Sequence, residues 1–164
     1  MFLKTQNIPK KKLIGIQRKM TFASIPQETV ALWKQFMPLH ATINNKVDAN
    51  FYSLQVYKSL LKMQEVKGTD EFTKWALVEV INFENVPKTM KTFELDGGLY
   101  AVFLHKGLGS EFAKTMNYIF GEWLPKSDYT IDHRPHFELL GAKYKNNDPS
   151  SEEEVWIPIK ENRI

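Results

Sequence analysis

The chain has 164 residues, 43% hydrophobic and 13% aromatic, with 22 Lys+Arg against 19 Asp+Glu and no cysteine. This is enough apolar material for one ordinary domain with a core, and it excludes a chain disordered throughout, a disulfide framework, a thiolate metal site and a cysteine nucleophile. A net charge of +3 is small for a dedicated nucleic-acid binder, and no apolar run reaches the ~20 residues of a membrane helix, so a soluble cytoplasmic protein is expected.

Lys12–Ala23 alternates loosely through Leu13, Ile14, Ile16, Met20 and Phe22 and predicts a strand. Ser24 and Pro26 suit a helix start, apolar residues recur at helical spacing from Val30 to Leu39, and Pro38 is expected to end or kink that helix. Phe51–Lys58 and Phe72–Phe83 predict strands, separated by a Lys-rich turn containing Gly68. Thr89–Leu95 predicts a short linking strand, and Gly97-Gly98 a turn into the apolar strand Leu99–His105. Phe112, Met116, Ile119, Phe120 and Trp123 then mark one face of a second helix, ended by Pro125. Pro135–Tyr144 and Glu154–Ile159 predict the last two strands, with a polar loop between them.

The order repeats. Leu13–Ile16 matches Leu99–Val102, Phe51–Tyr57 matches Phe137–Tyr144, and Trp75–Val80 matches Glu154–Ile159, at an offset of about 80 to 86 residues. That offset is too long for a solenoid. It predicts two β-α-β-β units, about residues 12–84 and 88–160, in a single domain. Neither unit alone buries enough surface to be stable. Together they predict an α+β fold: one antiparallel sheet, two main helices on one face, and a central groove between those helices.

Several segments then resemble a known family: Trp75-Ala76-Leu77-Val78-Glu79-Val80, Gly98 through Gly107, Trp123-Leu124-Pro125-Lys126-Ser127, Arg134-Pro135-His136-Phe137-Glu138, and Glu154-Val155-Trp156-Ile157-Pro158-Ile159. In this order they are similar to the GyrI-like, AraC-type effector-binding domain. The resemblance implies a duplicated fold that binds bulky, apolar, often cationic molecules. Many members follow a DNA-binding helix-turn-helix, for which the eleven residues before Lys12 are too few. A stand-alone binder that sequesters or senses a ligand, without direct sequence-specific DNA binding, is therefore expected. Other members hydrolyse reactive small molecules or inhibit gyrase, so a hydrolase with Glu154 as general base, or a protein-interaction module, are the alternatives.

By resemblance, Glu154 is the acidic residue that meets a ligand cation. On a strand, Glu154, Trp156 and Pro158 share a face, and rings beside a carboxylate add cation–π attraction. Trp75 and Glu79 share a face of the matching strand. Tyr52, Tyr100, Tyr118 and Phe137 are further wall candidates, Tyr118 because it sits off the apolar stripe of its helix. His133 and His136 have poor metal spacing around Pro135, and Gly107-Leu108-Gly109-Ser110 lacks the ending of a phosphate loop, so no metal or cofactor is expected. Lys10-Lys11-Lys12 reads as a solvated arm.

Overall fold

The computed structural model describes residues 1–162, and among them nine strands and two main helices build an α+β fold. The strands are β1 (Phe2–Ile8), β2 (Lys11–Thr21), β3 (Phe51–Tyr57), β4 (Glu71–Val80), β5 (Lys91–Leu95), β6 (Gly98–Lys106), β7 (Tyr129–Ile131), β8 (His136–Leu140) and β9 (Glu152–Glu161). The first helix, α1, spans Ile25–Phe36. The second begins as α2 (Phe112–Tyr118), widens into a π-helical turn (Ile119–Trp123) and ends as α3 (Leu124–Lys126). Pro125 has no N–H to offer Gly121, and the Leu124 N–H instead reaches back to the Ile119 carbonyl.

Two strands were not expected. β1 has five consecutive exposed residues between Phe2 and Ile8, so it carries almost no apolar alternation. β7 is too short for a period. The strand expected over Pro135–Tyr144 stops at Leu140, where Gly141 begins a turn closed by the Tyr144 N–H.

The sheet order is β1-β6-β9-β8-β3-β4-β2-β5, with β7 beside β9. Its centre is the antiparallel β3–β8 pair, with Ser53 opposite Glu138 and Leu54 opposite Phe137. On either side the order is mirrored: β4, β2 and β5 outward from β3, and β9, β6 and β1 outward from β8.

The connections force this sheet to curl. Six strand spacings separate β1 from β2, which would be about 29 Å on a flat sheet at ~4.8 Å per strand. Only Pro9 and Lys10 join them, and three Cα steps span at most ~11 Å. The β5–β6 connection, Asp96 and Gly97, makes the same jump in the other direction. The two connections touch. A Cβ on Gly97 would lie 2.4 Å from the Ile8 carbonyl oxygen, so no larger residue fits there.

The curl gives two unlike faces. One is aliphatic and carries the helices. Leu32 and Phe36 of α1 pack on Ile14, Ile16, Ala76 and Val78, and Ile119 packs on Ala101, Phe103, Val155 and Ile157. Leu32 and Phe36 are fully buried, and truncating either to Ala costs about 2–5 kcal/mol. The other face is concave and needs no helix, because its own curvature brings Ile8, Leu13, Leu95, Tyr100, Trp75, Phe137 and Trp156 into one cluster.

Candidate functional site

Side chains alternate along each strand, so the register settles which residues face the concavity. Val102, Trp156, Phe137, Leu54 and Trp75 form one row across β6, β9, β8, β3 and β4. The next row holds Glu154, Leu139, Tyr52 and Leu77. Glu79 follows Leu77 on the same face. A recess of about 280 Å³ opens at this end. Its floor is aromatic and aliphatic: Tyr52, Phe137, Leu139, Trp156 and Ile8. Its walls are polar: Lys4, Gln6, Lys11, Asp48, Asn50, Glu79 and Glu154. Three carboxylates there face two lysines.

The floor is rigid. Phe137 and Trp156 stack with centroids 5.3 Å apart and planes 14° from parallel, and Tyr52 leans on Phe137 at 5.2 Å. The Trp156 Nε1–H donates to Glu154 Oε1 at 3.0 Å, a contact that follows from their i, i+2 spacing. Glu79 Oε1 accepts from both Lys11 Nζ at 3.2 Å and the Tyr52 hydroxyl at 3.3 Å. Burial and the nearby Glu79 carboxylate push the Tyr52 phenol well above its ordinary range, so it stays a donor.

The structure thus brings Tyr52, Glu79, Phe137, Glu154 and Trp156 to one recess, and it corrects four expectations. The convergence lies on the face opposite the helices, not between them, because both helices occupy the other side of the sheet. Tyr118 is on that other side, edge-on to Phe103 at 6.3 Å; the buried face of its helix is broader than the stripe suggests. Tyr100 and Trp75 face the concavity but do not line the recess. Tyr100 is fully buried, with its hydroxyl donating to the Pro135 carbonyl at 2.8 Å and the Arg134 guanidinium 4.7 Å over its ring, and Trp75 packs against Phe93. The lysine run also divides: Lys10 pairs with Glu94, Lys11 enters the recess, and Lys12 lies over the Phe83 ring.

Sequence reading missed Lys4, Gln6, Lys11, Asp48 and Asn50. Lys4 and Gln6 arrive through the pairing of β1 with β6, far away in sequence. Asp48 and Asn50 precede β3 in a loop where Asp48 accepts the Asn50 N–H.

On the opposite face, which carries the helices, the sheet holds a buried polar group. Gln55 Nε2 donates to Glu138 Oε1 at 3.1 Å, and Lys74 Nζ lies 3.9 Å from the same oxygen. Burial pushes the Glu138 carboxyl up. Glu153, two residues before the Val155 that pairs with Glu138, is pushed up to about 8 by burial and by the Glu138 charge. Burial lowers His136 to about 3, so it is neutral. Among the described residues no group of His, Asp and Glu could hold a metal ion. No helix there is long and apolar enough to cross a membrane.

A sequence model of the GyrI-like small molecule binding domain matches residues 1–160. The chain belongs to the GyrI-like family. It is 29% identical over 141 residues to the transcriptional regulator BrlR of Pseudomonas aeruginosa, covering 84% of this chain and 49% of that protein. The chain thus spans about half the length of this curated relative. Solved structures share the fold. SAV2435, bound to tetraphenylphosphonium, aligns over 98% of this chain and 94% of its own with a TM-score of 0.70 at 18% identity. The EcmrR C-terminal domain aligns over 99% of both chains with a TM-score of 0.66 at 12% identity.

Proposed function

We propose that the concave recess is the ligand site of this GyrI-like domain and that it sequesters or senses bulky apolar molecules bearing a positive charge. The observation that carries this reading is the Glu154 carboxylate beside the stacked Trp156–Phe137 pair. Glu154 accepts one hydrogen bond, from a neutral indole, and a carboxylate has room for several more. A flat cation entering the recess can lie on the rings and meet Glu154 at its edge. Ring contact adds about 0.5–2 kcal/mol, and partial shielding from water strengthens the charge attraction. SAV2435, similar in fold, is a protein bound to a lipophilic cation, which agrees with this reading. Sequence-specific DNA binding is not part of the proposed role of this domain, and the cytoplasm is its proposed location.

The test is fluorescence titration of an aromatic monocation, ethidium, against wild type and Glu154→Gln, with a neutral aromatic of similar size as control. The substitution keeps shape and removes charge. Ethidium affinity should fall about ten- to a hundredfold, about 1.4–2.7 kcal/mol, while the neutral ligand changes little. Equal ethidium affinities in the two proteins would make Glu154 a solvated strand residue and end the proposal.

A further inference from the structure

We infer that Lys11 is a tethered cation that fills one of the two glutamate positions in the recess and so restricts its ligands to a single positive charge. The inference deepens the function proposed above and rests on it.

Two observations point to it. First, Lys11 is held inside rather than left in solvent. Its side chain is 21% exposed and that of Glu79 15%, while Lys10, one residue earlier, remains 58% exposed in its pair with Glu94. Second, Lys11 uses the acceptor a ligand ammonium would need. Its Nζ and the Tyr52 hydroxyl both reach Glu79 Oε1, at 3.2 and 3.3 Å. Among the described residues Glu154 meets only an indole N–H.

The two glutamates also stand on different strands. From Glu154 the pairing runs through Leu139 and Tyr52 to Leu77, three strand spacings or about 14 Å of sheet, with Glu79 a further two residues along β4. Beside the exposed Asp48 of its wall, the recess therefore has one glutamate open over an aromatic stack and a second closed by an internal lysine. A second charge on a ligand would meet the Lys11 ammonium and be repelled, a device that sets specificity by opposition rather than by attraction.

Ethidium and propidium test this. They share one phenanthridinium ring, and propidium adds a quaternary ammonium on a propyl arm. In wild type, propidium should bind no more tightly than ethidium. Lys11→Met keeps the stem of the side chain and removes the charge, and propidium should then gain about tenfold over ethidium. The double variant Lys11→Met/Glu79→Gln should return the ratio to its wild-type value. Lys11→Gln provides a second uncharged form should the methionine variant fold poorly, as judged by thermal melting. If ethidium binding is intact and sensitive to Glu154→Gln while the ratio does not move in the Lys11 variants, the inference falls and the ligand site stands. Equal gains for both dyes would also overturn it, by making Lys11 a general repulsive charge. If neither dye binds wild type or any variant, the ligand site itself is wrong and the inference falls with it.

Discussion

Each half of the sheet sends one glutamate into the recess, and the two halves treat it differently. In the first half, Glu79 of β4 is met by an ammonium and a phenol. In the second half, Glu154 of β9 is met by the indole of its own strand neighbour. The far side of the sheet repeats the imbalance. There the first half supplies Lys74 and Gln55, and the second supplies Glu138 and Glu153. One mirrored strand arrangement thus carries two charge patterns: the first half pairs its recess glutamate and supplies the lysine of the far side, and the second supplies acidic groups to both faces. Equivalent backbone positions do not imply equivalent chemistry, because hydrogen-bond partners come from side chains that each half is free to vary.

The largest expected effect tests this contrast directly. Glu154→Gln should weaken a cationic dye by one to two powers of ten. Glu79→Gln should weaken it by only about threefold, through the unpaired Lys11 charge it leaves behind. Similar losses in both would erase the distinction between the halves.

The next test is stability against pH. Glu153 is raised from an ordinary value of 4.5 to about 8, so the folded chain keeps a proton that the unfolded chain releases. Its stabilisation is complete below pH 4.5 and is lost as pH rises to about 8. Glu138 is raised too and acts in the same direction. Neutral, buried His136 acts oppositely, losing stability as pH falls from 6.5 towards about 3. Only above pH 6.5 do the carboxylates act alone. From there to pH 8, thermal melting should fall by up to about 2 kcal/mol, roughly 4–8 °C. Glu153→Gln should flatten most of that slope. A wild-type profile that is flat between pH 6.5 and 8 would refute it.

Smaller effects sharpen the picture. Trp156→Phe keeps the stack on Phe137 but removes the N–H that orients Glu154, and dye affinity should drop by about two- to fivefold. Tyr52→Phe should cost about 1 kcal/mol of folding stability by denaturant titration, because one hydrogen bond to Glu79 is lost, and change dye affinity less than twofold.

How much of this was legible in the chain varies with the reach of the interaction. The helix over Ile25–Phe36 and the central strands were readable because their apolar periods are local. Glu154 with Trp156 was readable for the same reason, since two residues on one strand share a face. The side of the sheet was not. In β4 both Trp75 and Leu77 on one face and Ala76, Val78 and Val80 on the other are apolar, so periodicity does not say which face receives the helices. Lys11 was hidden inside a run of three lysines whose members go three ways. Lys4 and Gln6 depend on a strand pairing that no local pattern encodes. The polar group on the helix-bearing face has the same origin, with Gln55, Lys74 and Glu138 coming from three strands.

The pairing of β1 with β6 also bears on folding. Phe2 lies opposite Phe103, so β1 finds its partner about a hundred residues later in the chain. Closing so long a loop is entropically costly and slow, and β6 is itself paired with β9, the last strand among the described residues. Lys4 and Gln6 therefore reach the recess only through a pairing of long sequence separation. A nascent first half offers an incoming cation neither the Glu154 carboxylate nor the wall that encloses it. Ligand binding reports on the finished chain, and a cation in excess would pull the folding equilibrium towards that finished state and no partial one.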